Sequence, residues 1–261
     1  MKMGARGISL AIAVGLIVSG HAYKRPEVVT DPAKLAEIER RTGGRVAPPS
    51  NGKSVLIWDS TGKAEKAIEA FRRYDEKVMH IPLTVKHDNA SSAGSAYEKA
   101  KQAKGAKTPC VIFIHEQPEA PALAVYPEDA IACINLSALA AKDPDRFEER
   151  VQKEVFRAFG MVLGGYQIPR MACVMEPAYS LEELDAIRCT TLAPMRFNGI
   201  LKSAKSLDLP VQRPVPYLTA CREGWAPAPT NEFQKAIWEQ VKADKERGPT
   251  NPITIPPPKK K

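Results

Sequence analysis

Five consecutive apolar residues, Cys110-Val111-Ile112-Phe113-Ile114, constrain this chain more than any other feature. A strand apolar at every position is buried on both faces and needs a covering layer on each side. Ser54-Val55-Leu56-Ile57-Trp58 makes the same demand, and a further strand fits Met79 to Lys86. Helices fit between these strands. Lys63 to Lys77 places Ala67, Ile68, Ala70, Phe71 and Tyr74 on one side, and a shorter helix fits Ser95 to Lys104. Strands alternating with helices make an α/β layer. Ala122 to Tyr126 follows the apolar run without room for a crossover helix, so it reads as an antiparallel edge strand. Ala130 to Leu136 then supplies a fifth strand.

The second half opens with a long helix. Asp143-Pro144-Asp145 caps it, Val151, Val155, Phe159 and Val162 recur at helical spacing, and Gly164-Gly165 stops it near Leu163. Beyond it the chain reads as an irregular C-terminal subdomain. Ser180-Leu181-Glu182-Glu183 is a capping-box start for a short helix. Residues 209–230 hold five prolines and little periodicity, and a last helix fits Asn231 to Lys245.

The N-terminus carries Lys2 and Arg6, an apolar run from Ile8 to Val18, and Ser19-Gly20-His21-Ala22. That order is a signal-peptide pattern, and the run is short of the roughly 20 residues that span a bilayer. The expected division is a signal peptide at 1–22, an N-terminal extension at 23–50 with a helix from Asp31 to Arg41, one domain at 51–248, and a disordered Pro- and Lys-rich tail at 249–261. The mature protein is expected to be soluble and secreted or periplasmic. The net charge of +8 is dispersed, without the aromatic-interleaved basic stripe that single-stranded nucleic acid favours, so no nucleic-acid partner is expected. Five cysteines, none in a CxxC pair, would sit in an oxidising compartment. One disulfide is expected among Cys173, Cys189 and Cys221, with Cys173–Cys189 as the leading pair, while Cys110 and Cys133 read as buried thiols.

From the long helix onward the sequence runs Lys153-Glu154-Val155-Phe156-Arg157-Ala158-Phe159-Gly160-Met161-Val162-Leu163-Gly164-Gly165-Tyr166-Gln167, then Cys173, Met175 and Ser180-Leu181-Glu182-Glu183-Leu184-Asp185. This region resembles the active-site segment of archaemetzincins, metzincin zinc peptidases with the pattern HExxHxxGxxHCxxxxCxM and a later CxxC. Gly164 falls on the motif glycine, Cys173 on the second motif cysteine and Met175 on the methionine of the Met-turn. The resemblance implies a metzincin-like mixed sheet of about five strands with one antiparallel edge and a long active-site-type helix. It also implies a degenerate site. Arg157, Met161 and Gln167 stand at the three zinc-ligand positions and Ala158 at the general base. Ile168 stands at the first cysteine, and Ala193 and Arg196 at the CxxC. An alternative register places Lys153-Glu154 on the HE pair and Arg157 on the second histidine, with Leu163 at the third ligand.

Zinc takes imidazole, thiolate or carboxylate donors, and a guanidinium has no lone pair to give. Neither register supplies a zinc site, so no catalytic residue and no cofactor is expected unless a zinc site has moved elsewhere. Only His80, His87 and His115, with carboxylates such as Glu116 and Glu176, remain to build one. His115 with Cys133 is a conceivable nucleophilic pair, although Cys133 lies in an apolar run. Glu154 and Arg157, one turn apart, read as an ordinary pair on the helix surface. The leading expectation is a pseudoprotease that binds a peptide or protein partner of the cell envelope. Its cleft would be walled by the strand near Ala122–Tyr126 and floored by Arg157, Met161 and Gln167, with Tyr126 as a binding residue. The alternatives are an atypical metallopeptidase or other hydrolase, and a structural envelope protein.

Overall fold

The computed structural model describes residues 31–88, 94–165 and 173–246, without the side chains of residues 39–42. The expected signal peptide, the tail from 249, Gln167 and Ile168 lie outside the described residues. In chain order the elements are α1 (Pro32–Thr42), β1 (Arg45–Val46), β2 (Val55–Asp59), α2 (Glu65–Val78), β3 (Leu83–His87), α3 (Ala96–Ala103), β4 (Cys110–His115), β5 (Leu123–Tyr126), β6 (Ile131–Asn135), α4 (Pro144–Val162), α5 (Leu181–Ala186), α6 (Phe197–Ser206), β7 (Val215–Pro216), α7 (Tyr217–Glu223) and α8 (Glu232–Glu246).

Five strands form one sheet in the order β3-β2-β4-β6-β5. The pairings β2–β3, β2–β4 and β4–β6 are parallel, and β5 runs antiparallel to β6. This is the layout the resemblance implies: two βα units, the central apolar strand, an antiparallel edge, a fifth strand and then the long helix. Period-two alternation explains why the central strands are apolar throughout. Val55, Ile57, Cys110, Ile112 and Ile114 pack beneath α2 and α4 with Phe71, Phe156 and Phe159. Leu56, Trp58, Val111, Phe113 and Cys133 pack on the opposite face with Ala96 and Ala100 of α3. Phe71 meets Phe156 edge-on at 4.9 Å between ring centroids.

The helix α4 begins as its sequence requires, with the Asp143 side chain accepting from Asp145 N–H. It ends at two glycines that are there for space and conformation. Gly164 has φ +77°, and a Cβ on Gly165 would meet the Gly160 carbonyl oxygen. Gly165→Ala is therefore expected to lower stability by about 2 kcal/mol, since a backbone atom cannot rotate away as a side chain would. A urea denaturation curve with unchanged slope and an earlier midpoint checks it.

Three regions differ from the sequence reading. The strand expected from Met79 starts only at Leu83. The Asp75 carbonyl takes both Met79 N–H and His80 N–H, ending α2, and His80 turns the chain at φ 57°. Met79 and Ile81 are apolar because this turn itself enters the core, each only 1% exposed. The proline-rich stretch after 209 is more ordered than its lack of periodicity suggests. Val215–Pro216 pairs antiparallel with Arg45–Val46, and α7 follows directly. Tyr217, Cys221 and Val241 form a small separate core there, tied to the N-terminal segment by Gln234 Nε2 donating to Gly43 O. The helix α6, buried through Ile200 and Ala204, is also absent from the sequence reading. Among the described residues no helix is long and apolar enough to cross a membrane.

Candidate functional site

The described face of α4 that the resemblance assigns to metal chemistry carries cations instead. Arg150, Lys153 and Arg157 recur at i, i+3 and i+7, a spacing that shares one helix face, and all three are buried. Arg150 grips Asp185 with two bonds of 2.7 Å and also donates to the Leu139 and Ala140 carbonyls. That guanidinium holds the Asp185 carboxyl below its ordinary range. Lys153 donates to the Leu184 carbonyl at 3.0 Å and pairs with Glu149 at 2.7 Å. Arg157 Nε donates to Glu154 Oε2 at 3.2 Å, and its Nη1 donates to the carbonyls of Val174 and Glu176. Three charged side chains thus fasten the helix to residues 139–140, to the 174–176 turn and to α5 at 184–185.

The Arg157–Glu154 pair is therefore not a surface pair. The two residues are 2% and 4% exposed. Burial pushes the Glu154 carboxyl up, and the Arg157 charge pulls partly the other way. The sequence signal was present, as charged residues on an apolar helix face. It was missed because (i, i+3) pairs of opposite charge are ordinary on solvated faces.

Met175 is buried beneath α4, where a Cβ on Gly160 would crowd its Sδ at 2.6 Å. Ala158 is fully buried in the apolar core. Cys173 Sγ accepts from Ala193 N–H at 3.1 Å. The expected Cys173–Cys189 disulfide is not formed, and all five cysteines are free thiols. Cys173 Sγ is turned to the Met175 and Ala193 N–H groups, while Cys189 Sγ donates to the Thr191 carbonyl.

Beside this helix face lies a cleft of ≈ 500 Å³, lined by Leu123 and Val125 of β5, Glu154, Arg157 and Met161 of α4, and the segment from Ala178 to Leu184. Arg157 and Met161 lie on its floor. Tyr126 is not in it. Side chains alternate across a strand, so Leu123 and Val125 face the cleft while Tyr126 points to the other face and packs at a tilt against Tyr97, ring centroids 4.6 Å apart. The pairing of β5 also fixes which of its backbone groups are spent. Asn135 N–H bonds to the Ala122 carbonyl, so 122, 124 and 126 face β6. Alternation then turns the N–H and C=O groups of Leu123 and Val125 outward.

The remaining candidates are not brought together. His80 lies at the turn before β3, near the amino ends of the strands, whereas His87 and His115 lie at their carboxyl ends. His87 stands 3.6 Å from Asp59 on the α2 side, while His115 lies on the α3 side, stacked on Phe113. Cys133 is aligned with Phe113 rather than His115, and burial pushes its thiol up to about 12. The Cys133–His115 pair is thus not built. Among the described residues no three of His, Cys, Asp and Glu are grouped to hold a metal. The zinc of the family does not fit here either. Arg157, Ala158 and Met161 offer no nitrogen, thiolate or carboxylate donor, and Arg157 brings a positive charge to the place a cation would take.

No protein-family model and no curated protein matches the chain. Solved structures do. The chain is similar to an archaemetzincin from Methanopyrus kandleri at 17% identity, covering 60% of this chain and 98% of that one with a TM-score of 0.48. It is similar to the archaemetzincin from Archaeoglobus fulgidus at 15% identity, with 56% and 99% coverage and a TM-score of 0.40. A zinc-dependent peptidase from Methanocorpusculum labreanum is 14% identical, with 56% and 98% coverage and a TM-score of 0.41.

Proposed function

We propose that this protein is an exported metzincin-like pseudoprotease that binds an extended peptide or protein segment of the cell envelope, without zinc or other cofactor. The observation that carries the reading is the placement of Arg157. Its guanidinium is buried on Glu154 and the carbonyls of the 174–176 turn, and it borders an open cleft whose wall is β5, the strand that ends the sheet among the described residues. Hydrolysis needs an activated water, and a metzincin-like site obtains it from bound zinc. Peptide capture needs only the edge and the pockets. A segment adding to β5 would bond to the outward backbone of Leu123 and Val125, and its side chains would meet Leu123, Val125, Met161, Ala178 and Leu181. The export part rests on Lys2, Arg6, the apolar run and the small residues before Tyr23.

Val125→Pro tests the binding mode. Proline is tolerated at an edge position whose N–H leaves the sheet, so thermal stability should hold within a few degrees. Affinity for peptides selected from a library on the wild-type protein should fall about tenfold or more, the worth of one lost main-chain bond and the clash of the ring. Selected peptides that bind both proteins equally would remove β5 from the reading.

A further inference from the structure

A groove of ≈ 210 Å³ runs between α7 and α8 and shares no residue with the peptide cleft. The end of α7 and the chain just after it contribute Cys221, Gly224 and Ala226. The last turns of α8 contribute Trp238, Val241, Lys242 and Lys245, at the i, i+3, i+4 and i+7 spacing of one helix face. Lys245 Nζ donates to the Cys221 carbonyl at 3.3 Å and ties the two sides together. Cys221 and Val241 are buried, whereas the large ring of Trp238 is left 38% exposed.

The chain itself supplies a segment to this groove. Lys245 lines it and Glu246 ends α8, so residues 247–261 leave the helix at the end of the groove. Gly248 and Pro249 are residue types that stop a helix and turn the chain. Trp238 lies two turns back from Glu246, about 12 Å along a helix. Six extended residues span about 20 Å, so a chain reversing at 248–249 brings Asn251-Pro252-Ile253-Thr254-Ile255-Pro256 alongside Trp238. Residues 248–258 carry no charge, and Lys259, Lys260 and Lys261 fall beyond the reach of Lys242 and Lys245. Proline-rich segments dock in aromatic-lined grooves because a stiff chain has little entropy left to lose. We infer that residues 252–256 fold back along α8 and fill this groove, with Ile253 and Ile255 covering Trp238 and Val241. For those five residues this replaces the disorder that composition alone suggests.

A synthetic peptide of residues 249–258 is the probe, titrated into the full-length ¹⁵N-labelled protein while the Trp238 indole signal is followed, assigned by its loss in Trp238→Phe. In the double variant Ile253→Ser/Ile255→Ser the tethered segment no longer holds the groove, and the peptide should give a saturable shift. In the wild type the tethered segment competes at roughly millimolar effective concentration, so affinity for the peptide should be about tenfold weaker. Both substitutions lie beyond α8, and superposable melting curves report that the fold is kept. Equal affinity for the two proteins overturns the inference, as does a shift in the variant that rises linearly without saturating. Wild-type affinity that recovers when the protein is diluted places a second copy's segment in the groove and overturns the fold-back within one chain.

Discussion

Arg157→Met should destabilise the protein by about 3–5 kcal/mol, the typical cost of leaving one member of a buried ion pair alone. The substitution strands the Glu154 carboxylate at 4% exposure and removes the donor that ties α4 to the Val174 and Glu176 carbonyls. Adding Glu154→Gln should recover a substantial part of the loss, because a neutral amide costs less to bury than an unpaired charge. Equilibrium urea unfolding of the two single variants and the double variant measures the coupling as a double-mutant cycle. A solvated pair would give less than about 1 kcal/mol in the same cycle, and that outcome would mean Arg157 does not hold the Met-turn region.

The second large effect concerns pH. Asp75 is 3% exposed at the end of α2, and burial pushes its carboxyl up to about 7, with Glu76 adding to the rise and the Ile81 N–H opposing it. The ordinary value is 3.8, so the folded state holds a proton that the unfolded chain releases. Stability contributed by this group is fully present below about pH 4 and is lost as pH rises toward 7. Beyond that it changes no further. A rise from 3.8 to about 7 corresponds to about 4 kcal/mol. Asp75→Asn keeps a polar group able to accept from Ile81 N–H and cannot ionise. The difference in unfolding free energy between the two proteins should therefore change by about 4 kcal/mol between pH 4 and pH 8, with the variant favoured at the higher pH. A constant difference across that range would show that Asp75 ionises normally.

Both effects arise from groups whose environment the sequence does not specify. The burial of Asp75 depends on where the 79–82 turn closes, and that turn was read as part of a strand. Met79 and Ile81 look like alternating strand residues, yet their side chains enter the core from a turn. Arg150 and Lys153 were absent from the sequence reading as fold-holding groups, because, besides Asp185 and Glu149, their partners are backbone carbonyls 10 to 32 residues away. Carbonyls carry no sequence signature. Tyr126 was placed in the cleft by proximity, and only the pairing register with β6 turns it to the other face.

The sequence by itself determined the sheet and the order of its strands' roles. Runs such as Cys110–Ile114, and helices with one apolar side, have one economical burial scheme, and local periodicity encodes it. The short link before β5 dictated the antiparallel edge. The sequence also set which residue types stand at 157, 158 and 161, where the resemblance leads one to expect metal chemistry. Tertiary structure alone decided that Arg157 is buried on Glu154 and the 174–176 carbonyls, that Leu123 and Val125 face the cleft, and that His115 is buried on the α3 side of the sheet, stacked on Phe113. Each is a meeting of groups distant in the chain. Its energy depends on desolvation and on angles fixed by packing, which no local pattern of residues carries.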